Sequence, residues 1–322
     1  MNKYDLLDFL REGEYVSGEL IAENFSVTRA AVWKAIADLK KEGYEIESKT
    51  NNGYKLLKSF DILNGYEIKS RLENKNLDFD VIYKKNTGST NDDAKKITEE
   101  YASGNNIIIA AGEQSAGRGR YGRSFSSGEG GLYFTVKICR PDNFFNIEGI
   151  TFYPLIMAVS ASRAVYALCG ISLDIKWPND LLYKSDTGYK KIAGILTEAS
   201  IQAENRNISY IIAGIGVNVN TGGFDGGLKN IASSLKIITG EAYSRAGLLC
   251  AIVENFMELA DSSREYLLEE YKKRLLTGVR ISFAQNGREY TGVAHGINES
   301  GNLLAEIDGQ IIAVQSGEIN FV

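Results

Sequence analysis

Histidine is almost missing from this chain. His295 is the single example in 322 residues, which argues against a His-based triad and a histidine-rich metal centre. Cysteine is nearly as scarce. Cys139, Cys169 and Cys250 lie far apart and offer neither a disulfide framework nor metal-ligand spacing, as suits a reducing compartment. Three prolines are too few for a collagen-like chain or a proline-rich linker. No long apolar run stands out. The longest weakly polar stretch, Ile150 to Ala161, falls short of the roughly 20 residues that a bilayer span needs. The opening MNKYDLLDFLREGE is acidic and amphipathic, unlike a secretion signal. The expectation is a cytoplasmic protein with no membrane partner. A bulk positive field is absent as well: 36 basic and 41 acidic residues leave a formal charge of −5, so any nucleic-acid contact must come from a local patch. What remains is an ordinary globular composition, 44% hydrophobic and 24% charged, with length for about two to three domains. Chemistry has to run on Lys, Arg, Asp, Asn and backbone groups.

Three textures follow one another, and they set the expected domains at 1–62, 63–276 and 277–322. In the first, Tyr4–Leu10 has helical periodicity, Gly18–Asn24 fits a second helix, Phe25-Ser26-Val27 a tight turn, and Thr28–Lys41 a third helix stopped at Gly43. On a 3.6-residue wheel, Val32, Ala35, Ile36 and Leu39 share one face. Ala30, Lys34, Ala37 and Lys41 share the other, with Trp33 at its edge. Residues 44–48 and 53–57 read as two strands around Lys49-Thr50-Asn51-Asn52. Helix–turn–helix plus hairpin is a winged helix-turn-helix. Residues 1–27 carry two basic and six acidic groups, net −4, whereas residues 28–58 carry seven basic and four acidic groups, net +3. The basic part coincides with the third helix and the wing. Thr28, Arg29, Ala30, Trp33, Lys34 and Lys49 are therefore the candidate DNA contacts. The plainer alternative is a helical module with a solvated charged face.

The middle region holds strand candidates at Phe79–Lys84, Ile107–Gln114, Gly131–Ile138, Leu173–Trp177, Lys191–Thr197 and Tyr210–Asn218. Helix candidates are Gly65–Glu73, Ser89–Ala102, Phe152–Cys169 and Arg245–Leu276. They interleave without strict alternation, which predicts a mixed sheet flanked by helices. The last region, with turns at Gln285-Asn286-Gly287, Asn298–Gly301 and Asp308-Gly309, suits a small five- or six-stranded barrel.

Five short motifs carry the chemistry. Gly117-Arg118-Gly119-Arg120-Tyr121-Gly122-Arg123 alternates glycines with arginines. Glycines permit close backbone approach and arginines fork onto carboxylate or phosphate oxygens, so the loop reads as an anion clamp. It lacks the Gly-Lys-Ser/Thr of a Walker loop, and its alternative is an exposed basic loop touching RNA or an acidic partner. Lys176-Trp177-Pro178-Asn179-Asp180 ends an apolar strand in a polar turn. There Asp180 could hold a phosphate-bound metal, or Asn-Asp could be an ordinary turn. In Lys190–Leu196, period-2 alternation sets Lys191, Ala193 and Ile195 on one face, with Lys191 either a ligand-facing cation or an edge gatekeeper. Gly214-Ile215-Gly216-Val217-Asn218-Val219-Asn220 is a glycine-broken strand, as where a ligand comes close. Gly88-Ser89-Thr90-Asn91-Asp92 precedes a helix. It is either a capping box from Ser89 to Asp92 or a polar head-group site.

In this order, GSTN, GRGRYGR, KWPND, KIAGIL and GIGVNVN resemble the biotin–protein ligases of the bifunctional kind that also repress transcription of biotin genes. The resemblance spans the whole chain. It implies an α+β multidomain fold: an N-terminal winged helix-turn-helix, a central class II aminoacyl-tRNA-synthetase-like mixed sheet, and a C-terminal SH3-like barrel. Lipoate ligases share the catalytic fold but lack the arginine-glycine loop. The implied reaction joins biotin to ATP as biotinoyl-5′-AMP, with Mg²⁺, then passes biotin to a lysine of a biotin carboxyl carrier protein of acetyl-CoA carboxylase or another biotin-dependent carboxylase. An adenylate-promoted homodimer would bind operator DNA of biotin genes. Residue by residue, the resemblance places Ser89, Thr90, Asn91, Gln114, Arg118, Gly119, Arg120, Lys191, Gly194, Gly214 and Gly216 at biotin. Arg120, Arg123, Phe125, Lys176, Asn179, Asp180 and Asn218 fall at ATP or the adenylate, and Asp180 on the magnesium side. Lys191, Arg118 and Arg120 would carry the chemistry. Phe125 stands where some relatives have a tryptophan that stacks on adenine. A ligase without operator binding and a non-enzymatic biotin-sensing repressor are the alternatives.

Overall fold

The structure is a computed structural model, and it describes residues 1–11, 13–57, 60–97, 106–139, 147–201, 208–315 and 317–322. It divides into two compact units, Met1–Glu67 and Ile68–Val322.

In the first unit three helices, α1 (Lys3–Leu10), α2 (Gly18–Asn24) and α3 (Arg29–Lys41), precede a hairpin of β1 (Ile46–Lys49) and β2 (Gly53–Leu56). Each helix starts on a side-chain cap. Asn2 and Asp5 form a capping box, Ser17 accepts from Leu20 N, and Thr28 accepts from Ala31 N at 3.2 Å. The turn between α2 and α3 closes through Val27 N to Ala22 O at 2.9 Å. Leu6, Leu7, Leu10, Ile21, Val32, Ile36, Leu39, Tyr44 and Ile46 make the core, with Ala35 packed at its margin. The expected inner face of α3 is thus the buried one. The wing is pinned to the body by the Val16–Tyr54 bridge. Gly53, at φ +99°, is required there, because a Cβ would run into the Val16 carbonyl.

The division between units falls in α4 (Gly65–Glu73). The second unit continues with β3 (Asp80–Thr87), α5 (Thr90–Lys96), β4 (Ile107–Gln114), β5 (Leu132–Ile138), α6 (Tyr153–Cys169), β6 (Asp174–Lys176), β7 (Asp180–Ser185), β8 (Gly188–Ile201) and β9 (Ile208–Val217). Then come α7 (Leu235–Thr239), α8 (Arg245–Ala260) and α9 (Arg264–Lys272), followed by β10 (Arg280–Gln285), β11 (Arg288–Ile297), β12 (Leu303–Ile307), β13 (Gln310–Val314) and β14 (Ile319–Phe321). Strands β3–β9 form one seven-stranded sheet in the order β3-β4-β5-β9-β8-β7-β6. Only β3 and β4 run parallel; the sheet is mixed, as expected. Strand β4, one in from the sheet edge, is buried on both faces: Ile107 and Ile109 pack with Ala94 of α5, and the alternate Ile108 and Ala110 are fully buried too. That explains its unbroken apolar run. Strands β10–β14 make a five-stranded antiparallel sheet in the order β13-β12-β11-β10-β14.

Four expectations change. Strand β7 was not expected, because Asn179-Asp180 reads as a turn. It is in fact the tight return of an antiparallel β6–β7 pair in which Lys176 faces Asp180. The single helix expected over Arg245–Leu276 breaks at Asp261–Ser263, since Ser263 caps a new helix by accepting from Tyr266 N. The helix from Ser89 ends at Lys96; residues 98–102 of that expectation lie outside the described residues. The apolar stretch from Ile150 is also longer than it reads. As a helical run, Gly149–Cys169 reaches 21 residues, and an 18-residue window of it has a mean hydropathy of 1.4. By length and composition it could cross a membrane, but 67% of that window is buried inside the protein, where α6 packs on α8, α9 and the sheet.

A buried carboxylate ties α6 to α9. Glu270 Oε2 accepts from Arg163 Nε and Nη2 at 3.1 and 2.7 Å and from Arg274 Nη1 at 3.0 Å, while Oε1 accepts from Lys273 at 2.6 Å. Burial pushes this carboxyl up, but the hydrogen bonds from Lys273 and Arg163 and the charges of Arg163 and Arg274 outweigh it and hold the pKa at about 2. A group depressed from an ordinary 4.5 to about 2 contributes stability that is complete above pH 4.5 and lost as pH falls towards 2. Glu270→Gln should therefore cost about 3 kcal/mol at pH 7 and almost nothing near pH 2. Chemical denaturation of both proteins at the two pH values checks this. Equal destabilisation at both counts against it.

Candidate functional site

The five motifs converge on one cavity of about 490 Å³ in the second unit. Its floor is β8 and β9, where Gly194 pairs with Gly216. Phe125 lies on these two glycines: a Cβ on Gly194 or Gly216 would come within 3.0 or 2.5 Å of its ring. Gly214 likewise leaves room for the Asn91 side chain. Ser89, Thr90, Asn91 and Gln114 form one end, Lys176, Asn179, Asp180 and Lys191 the other, and Arg118, Gly119, Arg120 and Arg123 line it from the loop.

Residues 114–127 are a narrow arm. Gln114 N donates to Ser127 O, Phe125 N to Gly117 O, and Gly119 N to Arg123 O, at 3.0, 2.9 and 2.7 Å. The tip turns at Tyr121 and Gly122, both left-handed with φ 55° and 73°. Every arginine of the arm has a protein acceptor. Arg118 pairs with Asp92, Arg120 Nη1 donates to Gly317 O at 3.1 Å, and Arg123 pairs with Glu318 at 2.6 Å.

At this end the Gln114 and Asn91 amides are spent on internal bonds. Gln114 Oε1 accepts from Thr90 N at 2.8 Å, and its Nε2 donates to Ser127 Oγ at 3.1 Å. Asn91 Nδ2 donates to Leu196 O and Glu198 Oε2, and its Oδ1 accepts from Thr135 Oγ1 at 2.7 Å. These two amides hold their neighbours in place. The capping box expected from Ser89 does not form: Ser89 makes no side-chain cap bond, although it is the residue before the helix.

Lys191 sits at a bulge. Leu181 pairs with Ala193 but Leu182 pairs with Lys191, so Ile192 has no partner on β7 and the period-2 alternation expected here is broken. The backbone of Lys191 is fixed from the other side, donating to Ile231 O at 2.8 Å and accepting from Ser233 N at 3.1 Å. Its Nζ lies 2.7 Å from Asp180 Oδ1 and 5.6 Å from the Phe125 ring centroid. Burial lowers the pKa of Lys176, and Asp180 opposes that shift. Asn179 is bound both ways to Ile195: its Nδ2 donates to Ile195 O, and its carbonyl accepts from Ile195 N. Asn218 does not line the cavity. It is buried, donating from Nδ2 to Lys191 O and Ser233 O, and so braces the Lys191 bulge from behind. Phe125 is on the floor among the glycines and edge-on to Tyr133, not free at the rim.

Sequence reasoning missed one wall. Glu318 and, from the last strand, Asn320 and Phe321 line the cavity together with Tyr121, Tyr189 and Ile231. Phe321 tilts on Tyr189 at 5.5 Å, and Lys176 Nζ lies 5.1 Å from its ring. The alternation that flagged Lys191 would also have found Tyr189; nothing local marks Glu318 or Phe321. The cavity lining holds five cations, Arg118, Arg120, Arg123, Lys176 and Lys191, against two carboxylates, Asp180 and Glu318, in a chain that is net negative. It is built for an anionic ligand.

A second candidate surface lies on the first unit. Arg29, Ala30, Trp33 and Lys34 are exposed along α3, Trp33 to 66%. Lys49 and Lys55 of the wing lie over the Tyr15 ring at 5.8 and 5.6 Å.

Three family models match, the biotin/lipoate A/B protein ligase family over residues 80–218, an HTH domain over 2–55 and the biotin protein ligase C terminal domain over 277–322. The bifunctional ligase/repressor BirA of Bacillus spizizenii is 34% identical over 98% of this chain and 97% of its own length. That of Escherichia coli is 27% identical over 98% and 95%. Among solved structures, the biotin protein ligase from Aquifex aeolicus in complex with biotin and ATP superposes with a TM-score of 0.62 at 29% identity, covering 75% of this chain and 97% of its own. The chain thus belongs to the biotin protein ligases, in their bifunctional ligase/repressor form.

Proposed function

We propose that the large cavity activates biotin with ATP and hands the acyl group to a lysine of a biotin carboxyl carrier protein, and that the first unit binds the operator of biotin genes. The observation that carries the first part is the set of five cations gathered over a glycine floor. A carboxylate and an ATP α-phosphate repel until cations neutralise them. The carboxylate oxygen attacks the α-phosphorus, pyrophosphate leaves, and the acceptor amine later displaces AMP from the acyl carbon. No side-chain nucleophile is needed, in keeping with the single histidine.

In this reading Ser89, Thr90 and the Arg118–Gly119 backbone meet the head group of biotin, with Asn91 and Gln114 orienting them. Gly194, Gly214 and Gly216 admit its rings beside Phe125. Lys191 meets the carboxylate and then the transferring acyl group, while Arg120, Arg123 and Lys176 meet the phosphates. Asn179 and Asn218 act on the adenylate indirectly, by fixing Ile195 and the Lys191 bulge. Among the described residues no cluster of three or more metal-ligating side chains exists. Asp180, alone, fits a Mg²⁺ that is carried mainly by nucleotide phosphates. Such an ion supplies charge neutralisation at the phosphates.

The domain limits 1–62, 63–276 and 277–322, a cytoplasmic location and an adenylate-favoured homodimer belong to the same proposal. The direct test is incubation with biotin, Mg-ATP and a biotin carrier domain, reading the mass gain on the carrier; no gain defeats the reading.

In this reading the arm is a lid that covers biotin and the adenylate, and Arg120→Gly should loosen its hold on biotinoyl-AMP. It removes a cation and the tether to Gly317 O, and adds backbone freedom at the arm tip. The reactive anhydride then escapes. Labelling of lysines on a bystander protein should rise at least about fivefold, the equivalent of roughly 1 kcal/mol. Bystander labelling no higher than wild type removes Arg120 from the lid.

A further inference from the structure

We infer that Asp92 is a positioning residue: it clasps Arg118 and thereby sets how long the arginine arm stays shut over its ligand. This rests on the reading that the arm covers biotin and the adenylate. Asp92 occupies the third position of α5, where the sequence suggests a capping box with Ser89. Ser89 makes no such bond, so the Asp92 carboxylate is not needed to start the helix in that way. It pairs instead with the Arg118 guanidinium.

One further contact, itself braced, holds that carboxylate in place. Lys95 Nζ lies 3.6 Å from Asp92 Oδ1 and is itself held at 2.6 Å by Glu198 Oε1. The other oxygen of Glu198 accepts from Asn91 Nδ2 at 3.0 Å. The clasp is thus continuous with the side chains that shape the head-group end. The arm is fastened twice. Arg120 and Arg123 moor its tip to Gly317 and Glu318, and Arg118 moors its base to α5. Of the three arginines only Arg118 reaches the helix that carries Thr90 and Asn91; the Gln114 side chain holds the root of the arm to Thr90, so loss of the clasp frees the arginine segment while the root stays attached.

Side chains exposed to 46% and 34% make a weak pair, so the effect is on opening rate rather than on folding. The experiment preforms labelled biotinoyl-AMP on the full-length enzyme with biotin and Mg-ATP, then chases with unlabelled ligand. Asp92→Ala should speed release about fivefold, and Asp92→Glu should restore most of the wild-type rate. Arg118→Ala should release at least as fast as Asp92→Ala. The double variant should be no faster than Arg118→Ala alone, because Asp92 acts through Arg118. An acid that merely favours the start of α5 would lower Tm and multiply the release rate by the same factor in both backgrounds. Multiplying factors, or wild-type release from Asp92→Ala beside fast release from Arg118→Ala, overturn the clasp alone. Wild-type release from Arg118→Ala overturns both the clasp and the lid reading.

Discussion

Lys191→Ala should lower the rate of adenylate formation by about 30- to 1000-fold, the equivalent of roughly 2–4 kcal/mol of lost charge stabilisation, and leave the protein folded. Both halves follow from the bulge. Everything that Lys191 does for the fold is done by its backbone, through Ile231 O and Ser233 N, and alanine keeps those bonds. What disappears is an ammonium in the middle of the cavity, 2.7 Å from Asp180. Asp180 then faces the incoming carboxylate and phosphates with no partner, which turns an attractive centre into a repulsive one. The pair is partly buried, its side chains exposed to 35% and 16%, so leaving Asp180 unpaired costs about 1–3 kcal/mol, and Tm should fall without loss of the fold. Lys191→Arg should not rescue the activity. The ammonium stands beside Asp180 as a compact point charge, and a longer, planar guanidinium spreads its charge over a fork and cannot place the same charge at the same point. Pyrophosphate release with biotin and ATP, read beside a thermal melt, is the measurement. A normal rate from a stable Lys191→Ala protein removes the lysine from the chemistry.

The two ends of that site were unequally legible. Lys191, the arginines and the glycine-broken strand stand out because each breaks a local rule: a cation in an apolar strand, arginines among glycines, glycines where β-branched residues belong. The wheel of α3 was readable for the opposite reason, since Val32, Ile36 and Leu39 obey their period and are buried. What escaped depends on distant partners. Glu318 reaches Arg123 across 195 residues of sequence, and the Trp177 indole is buried by donating to Gly301 O, 124 residues away. No window of sequence contains those pairs. Strand β7 escaped because its first residue, Asp180, directly follows the turn at Asn179 and reads as part of it. The bulge at Ile192 escaped because β-strand alternation says nothing about where it fails. Asn91 and Gln114 line the cavity, yet their hydrogen bonds go to Thr90, Thr135 and Ser127, a division of labour that only geometry reveals.

Reversing two charges on α3 should abolish operator binding without touching biotinylation. Arg29 and Lys34 are exposed on the helix whose inner face is buried, and both stand outside the lining of the catalytic cavity. The local charge of residues 28–58 is +3. Arg29→Glu with Lys34→Glu shifts it by −4, to −1, so the surface that approaches phosphates becomes repulsive. If each residue neutralises one phosphate, the double variant loses two counterion-release contributions, and the slope of log K against log salt falls by about 2. Affinity should drop at least about 100-fold at physiological salt. The effect is amplified if binding is dimeric, because a lone winged helix with so small a charge binds weakly and two on one dimer read a palindrome together. The adenylate strengthens DNA binding only insofar as the dimer holds it more tightly than the monomer does, and that coupling is reciprocal. A gel shift on the protein's own biotin-gene promoter, with and without biotin plus Mg-ATP, reads all of this. Wild type should bind at least about tenfold more tightly with both substrates, a coupling of roughly 1.4 kcal/mol. The double variant should bind in neither condition and still biotinylate the carrier at the wild-type rate. Equal affinity of wild type with and without substrates refutes the switch. No binding in either condition makes this chain a ligase whose winged helix has another partner.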